Sequence, residues 1–220
     1  MKKRSLGLFI LIFSLVLGSL LGGCKKASTP NGKIKGQTYW HQFSDTTIID
    51  TLSYTYDQQG RVILIQHVNG SEAYSYSNNS FIYTPVSGPN ITGILNNKGL
   101  VSSTSDGFIY SYDENGYLLT RSLPTLTDNY TIRGGNIVAD SQILNGHSSI
   151  QQYLYLDQTD YRDFGRAMYG RANRNLVSSD SILGITKNTA IYTFDNQGRV
   201  ASETFSGRGV ILISKYSYFN

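Results

Sequence analysis

The densest group of chemically capable side chains lies between Asp157 and Asn175. Arg162, Arg166, Arg171 and Arg174 fall there with Tyr161, Phe164, Met168 and Tyr169, and with Gly165 and Gly170. Guanidinium groups fork onto carboxylate or phosphate oxygens. The stretch could therefore grip an acidic glycan, a lipopolysaccharide phosphate or a partner protein, with Arg162, Arg166, Tyr169, Arg171 and Arg174 as contacts. The competing use is a plug or lid across one end of a sheet, its arginines paired to Asp157, Asp160 and Asp163. Those three carboxylates could also hold Ca²⁺ through hard oxygen ligands. Their spacing is not that of an EF-hand and Arg162 sits among them, so solvated loop charges are the better reading. Trp40, the only tryptophan, is flanked by Tyr39 and His41 and is the one further aromatic to watch as a contact.

Other chemistry is sparse. His41, His67 and His147 are isolated, and Cys24 is the only cysteine. No zinc spacing is present, and an internal disulfide is impossible. Serines are abundant without a nucleophile elbow, and no glycine-rich loop is placed to cradle phosphate. A glycosidase would need two carboxyls across a cleft, and nothing singles out such a pair. The expectation is a protein with no catalytic residues, metal or cofactor, although a triad assembled only by the fold leaves no mark in a sequence.

The elements that must position these residues are strands. Seventeen tyrosines, β-branched residues and alternation recur from Gln37 onward, with no amphipathic helix. Candidate strands, sixteen in all, run from Thr38–Phe43 to Val210–Phe219. Asp-Gly, Asn-Gly, Ser-Gly, Asn-Asn and Gly-Gly signals separate them. One unit recurs: Tyr54-Thr-Tyr56-Asp57-Gln-Gln-Gly60-Arg61-Val62, Tyr110-Ser-Tyr112-Asp113-Glu-Asn-Gly116-Tyr117-Leu118 and Tyr192-Thr-Phe194-Asp195-Asn-Gln-Gly198-Arg199-Val200. Alternate aromatics put two rings on one face of a strand. Asp57, Asp113 and Asp195 then cap the turn backbone. Gly60, Gly116 and Gly198 supply a positive φ, as in a type I turn with a bulge. The fold class that follows is all-β: a single antiparallel meander of many short hairpins, strongly curved or barrel-like.

The first 36 residues read as an address. Lys2, Lys3 and Arg4 precede an uncharged apolar run from Ser5 to Gly23, the pattern of a secretory signal over residues 1–23. Leu21-Gly-Gly-Cys24 resembles a bacterial lipoprotein box, which implies cleavage after Gly23 and a lipid on the Cys24 thiol. An uncleaved membrane helix is the weaker alternative. Residues 24–36 read as a lipidated tether, and residues 37–220 as the β domain. Net charge is +4 overall, but residues 37–220 carry 12 basic and 15 acidic side chains. The positive charge lies at the membrane end, so nucleic acid is not expected as a partner. Asp-Ser/Thr-apolar triplets mark Thr46, Thr51 and Ser181 as candidate O-glycan acceptors. The tether lacks an acidic run of the kind associated with surface export, which tilts the location to the periplasmic face of the outer membrane.

The Asp-x-x-Gly-Arg-Val units resemble the tyrosine–aspartate repeats of large secreted β-shell proteins, without their tandem spacing. The lipoprotein box, the scattered hairpin units, Leu95-Asn-Asn-Lys-Gly-Leu-Val101 and Gly170-Arg-Ala-Asn-Arg-Asn-Leu-Val177 are together similar to a family of Bacteroidota lipoproteins of unknown function with a porin-like fold. That resemblance implies location and an all-β shape and carries no chemistry. The expected function is a lipid-anchored envelope module for binding a glycan or another envelope protein, or for assembly. The alternatives are a porin-like barrel spanning the outer membrane and, further off, a glycan-acting enzyme.

Overall fold

The computed structural model describes residues 33–42, 47–182, 186–207 and 210–219, leaving aside the side chains of 186 and 187. The leader, Cys24, the tether up to residue 32 and Thr46 lie outside the described residues. Alternation and closely spaced turns give sixteen strands among the described residues. These are β1 (Ile34–Gln42), β2 (Thr47–Tyr56), β3 (Val62–His67), β4 (Gly70–Tyr76), β5 (Ser80–Thr84) and β6 (Ile91–Leu95). β7 (Val101–Thr104), β8 (Ile109–Tyr112), β9 (Leu118–Leu123), β10 (Leu126–Arg133) and β11 (Asn136–Leu144) follow. The last are β12 (His147–Thr159), β13 (Asn175–Ile182), β14 (Thr186–Phe194), β15 (Val200–Gly207) and β16 (Val210–Tyr218). Each strand pairs antiparallel with its neighbours in sequence, and β1 pairs with β16, so the expected meander is a closed barrel. β1 starts three residues ahead of Gln37. Lys33 and Ile34 are buried, and the Ile34 N–H donates to the Asp163 carbonyl at 3.1 Å.

The wall is uneven. β5 to β9 hold only 4–6 residues each, whereas β10 to β16 hold 8–13. At about 3.3 Å per residue, the low side is roughly 13–20 Å tall and the high side roughly 26–43 Å. Outward positions alternate hydroxyls with single aliphatics. Ile109, 61% exposed, faces Ser103 and Ser122, and Ile191, 67% exposed, faces Thr204.

The inward face carries the aromatics. Tyr54 and Tyr56 stack at 6.4 Å, and Tyr74 and Tyr76 at 6.3 Å, as rings two residues apart on one strand face must. Gly93 opposite Phe81 is required by packing, because a Cβ there would stand 2.1 Å from the Phe81 ring.

At one end, hereafter the turn end, the repeated unit shows its purpose. Asp57 Oδ1 accepts the Gln59 and Arg61 N–H groups at 2.9 Å, and its Oδ2 takes the Arg61 Nε at 2.7 Å. Asp195 repeats this with Gln197 and Arg199. In the second copy Tyr117 replaces the arginine, and Asp113 Oδ1 still accepts its N–H at 2.8 Å. Asn96 makes a fourth such turn, accepting from Lys98 and Leu100, with asparagine in the place of aspartate. Gly60, Gly116 and Gly198 have φ of 76°, 87° and 77°, as the turn requires.

A register shift follows each turn, and the shifted residue's carbonyl leaves the ladder. After the Asp57 and Asp195 turns a tyrosine on the next strand takes it up. Tyr76 donates to Val62 O and Tyr218 to Val200 O, both at 2.8 Å. Tyr192 to Val177 O, Tyr56 to Ile34 O and Tyr155 to Ile137 O do the same at other shifts. The turn arginine then lies on the latching ring: Arg61 is 4.1 Å from the Tyr76 centroid, and Arg199 is 4.4 Å from that of Tyr218.

Replacing Tyr218 or Tyr76 with Phe leaves a carbonyl unpaired in the wall. Each change is expected to lower stability by about 1–2 kcal/mol in urea unfolding.

Burial raises the Asp57 and Asp195 carboxyls, but the arginine N–H and side-chain bonds outweigh it and hold both below the ordinary value. With the folded pKa below the unfolded one, their stabilisation is present above about pH 4 and is lost as the pH falls through the folded value. The Asp57→Asn, Asp195→Asn double variant is expected to show a shallower loss of urea midpoint than the parent on acidification through this range.

Candidate functional site

The segment between β12 and β13 joins two neighbouring strands, yet it travels around the inside of the barrel at the turn end. Arg162 reaches Glu203 of β15 at 2.7 Å and Tyr216 of β16 at 3.1 Å. Asp163 pairs with Lys33 at 2.7 Å, just ahead of β1. Phe164 packs edge-on against Tyr54 of β2, and the Gly165 carbonyl accepts the Val62 N–H of β3. Arg166 approaches Glu72 of β4 at 3.5 Å, and Met168 meets the Tyr76 hydroxyl. A short 3-10 turn, Ala167–Tyr169, sets Tyr169 against Phe81 of β5 and Tyr110 of β8. The Arg171 N–H then donates to Gly116 O, Asn173 accepts the Ile137 N–H, and the Arg174 N–H donates to Gly135 O. The order of contacts along the segment follows the order of strands around the wall, so the segment is a ring seated inside the barrel.

Its seat is built by the repeated unit. The rings of Tyr54, Tyr56 and Tyr76, displayed inward by strand alternation, are the surface that Phe164, Gly165 and Met168 rest on. Gly165 could not carry a side chain: φ is 69°, and a Cβ would stand 2.6 Å from the Tyr56 ring.

Ring and wall border an open cavity of about 1090 Å³. Its apolar lining includes Leu52, Tyr54, Leu100, Phe164 and Tyr169, and its cations are Lys98, Arg162, Arg166 and Arg171. These cations differ. Arg162 is largely buried and bound to both Asp160 and Glu203. Burial works against its charge, but Asp160 and Glu203 outweigh that and raise its pKa further. Arg166 is exposed and holds Glu72 only loosely, and Arg171 lies 5.8 Å from the Tyr117 ring without an ion pair among the described residues. The Tyr54 hydroxyl, pushed up to about 12 by burial, donates to Gln37 at 3.2 Å, so this wall presents neutral phenols.

Behind Arg166 runs a polar chain that no sequence motif announced. Tyr39 donates to Asp50, His67 joins Asp50 and Glu72 through its two ring nitrogens at 3.0 Å each, and Glu72 reaches Arg166. Its only sequence trace is alternation, which puts Asp50 and Glu72 on inward faces. Across the lumen, Asp128 is fully buried against Arg121 at 2.6 Å and Gln142 at 3.0 Å.

Of the residues singled out in the sequence, Arg162, Arg166, Tyr169 and Arg171 meet at the cavity. Arg174 is bound to the β10–β11 turn and lies outside the cavity lining. Trp40 is on the outer wall, opposite Ile49 and Ile213, with the Lys215 ammonium 5.1 Å from its ring. Asp57, Asp113 and Asp195 sit in turns, as described above. Among the described residues no group of three His, Cys, Asp or Glu side chains could hold a metal ion.

No protein-family model and no curated protein matches the chain. Among solved structures, the chain is similar to a porin-like protein from Bacteroides uniformis, with a TM-score of 0.68 and 14% identity, over 84% of this chain and 97% of that one. At that identity the likeness shows the fold alone, and it agrees with the porin-like shape that the sequence resemblance implied.

Arg162→Met strips two semi-buried carboxylates of their partner and is expected to destabilise the barrel by about 3 kcal/mol in chemical unfolding. Arg171→Met, on an exposed guanidinium with no ion pair among the described residues, is expected to change stability by less than about 0.5 kcal/mol.

Proposed function

We propose that this protein is a lipid-anchored envelope barrel that works by binding and not by catalysis, with the ring cavity as its site. The observation that carries the reading is the cavity itself. Aromatic faces and two loosely engaged arginines converge on a space large enough for a small ligand or a peptide segment. Arg166, Arg171 and Tyr169 contact the ligand, and an acidic glycan or a segment of another envelope protein has the matching chemistry. The site needs no metal, cofactor or nucleic acid. The anchor is Cys24, and the location is the outer membrane, with the periplasmic face favoured. The porin-like barrel is consistent with that location. The wall supports an anchored module, since β5 to β9 fall short of the 9–11 residues of a membrane-spanning strand and the outer face is rich in Ser and Thr.

A second reading has its own support. The sheet is fully closed, charged groups such as Arg121, Asp128 and Arg162 lie inside it, and β10 to β16, β1 and β2 approach spanning length. These favour a transport barrel in the membrane. No helix among the described residues is long and apolar enough to cross one, which leaves crossing by strands untouched.

The two readings part in solution. The compact unit from Asn31 to Asn220 is expected to run as a sharp monomer peak without detergent. Aggregation relieved only by micelles would establish the transport reading. In a screen of acidic oligosaccharides and envelope peptides, a ligand of the cavity is expected to lose at least about tenfold in affinity on Arg166→Glu or Tyr54→Ala. Binding unchanged by both would remove the cavity as the site.

A further inference from the structure

The chain reaches the barrel at one particular end. Lys33 is buried at the turn end, tied to Asp163 of the ring, and β1 runs from there towards the opposite mouth. Cys24 stands nine residues ahead of Lys33. Nine residues span at most about 30 Å. β1 alone rises roughly 30 Å over its own nine residues. A lipid on Cys24 could therefore bring the far mouth to a membrane only with the tether drawn taut along the whole wall. The turn end is within reach at any extension.

The same end carries the charge a bacterial lipid surface would attract. Lys98 sits on the β6–β7 turn, Arg171 beside the β8–β9 turn, and Arg133 and Arg174 at the β10–β11 turn. All four are exposed, and none forms an ion pair among the described residues. The acids on this arc are less free. Asp113 is committed to its own turn and Asp160 to Arg162, which leaves Glu114 and Asp157 exposed beside the four cations. Basic side chains near an anionic leaflet are attracted to it, so four of them, with Lys25 and Lys26 in the tether, can orient a body already anchored there.

We infer that the turn end, through Lys98, Arg133, Arg171 and Arg174, is a docking face for an anionic lipid surface. The cavity, which Lys98, Glu114 and Arg171 partly line, then opens on the membrane side, and the far mouth faces away. The inference rests on the anchored reading proposed above.

The test separates the two. The full chain is purified from membranes, and its lipidated form is reconstituted in vesicles containing about a third phosphatidylglycerol. Failure to recover any lipidated form would defeat the anchor. The orientation would still be tested, because Cys24 is the only thiol and the chain from Cys24 onward contains every strand pairing. That chain can be coupled to a maleimide lipid in the same vesicles. Hydrogen exchange is read on the backbone. Slowing of at least threefold is expected at 96–99, 113–116 and 133–135, with none at 68–69, 124–125 and 145–146. It should disappear in phosphatidylcholine vesicles and in the variant carrying Lys98→Glu, Arg133→Glu, Arg171→Glu and Arg174→Glu. Slowing at the far turns, at both ends equally, at neither end, or unchanged by lipid charge would overturn the inference.

Discussion

A buried carbonyl must find a donor, and this barrel creates such carbonyls at several of the corners at its turn end. The bulge after each Asp-x-x-Gly turn rotates a peptide off the ladder. At Val62, Val177 and Val200, at Ile34 and at Ile137, a tyrosine hydroxyl from the next strand supplies the bond. That need fixes where the phenol rings lie, and the rings become the inner wall on which the Asp160–Arg174 ring rests. Tyr112 shows the alternative: its hydroxyl is buried with no partner among the described residues.

The ring turns a set of local solutions into one body. Arg162 ties β15 and β16, Asp163 ties the start of β1, and Gly165 ties β3, all through one short segment. Its charged contacts are specific where they are dry and loose where they are wet. Arg162 is committed to structure and Arg166 is left to reach into the cavity. The division between holding the fold and lining the cavity falls within four residues of sequence.

Much of this architecture was legible, for reasons that lie in particular residues. Alternation around Tyr54-Thr-Tyr56 and Tyr192-Thr-Phe194, with Asp and Gly at fixed distances, gives both the strand face and the turn. Runs such as Phe81–Thr84 and Ile91–Leu95 fall within one residue of the observed strands. The Asn-Asn pair at Asn96 marked a turn but not a copy of the unit, because asparagine offers the same acceptor as aspartate without the same letter. Closure was out of reach, since nothing in Thr38 or Ile213 says that β1 meets β16. The ring was visible only as a break in the strand pattern. Its partners Lys33, Glu72 and Glu203 are scattered along the chain. Trp40 was ambiguous because strand alternation sorts residues into two faces without saying which is inside, and Tyr39 took the inner one.

The seam between β1 and β16 has a kinetic meaning. Gln37 bonds Ser214 across 177 positions of sequence, so the first strand made is completed by the last. Until β16 emerges, β1 presents an open hydrogen-bonding edge, as does whichever strand is newest. Pairings this distant in sequence are the slowest to form. The ring inherits the delay, because its sites on β15, β16 and β1 come together only across that seam. The growing chain is thus a sticky, two-edged ribbon for most of its synthesis, and it becomes self-sufficient in a single late event. A protein built this way depends on being kept apart from its own copies until the circle shuts.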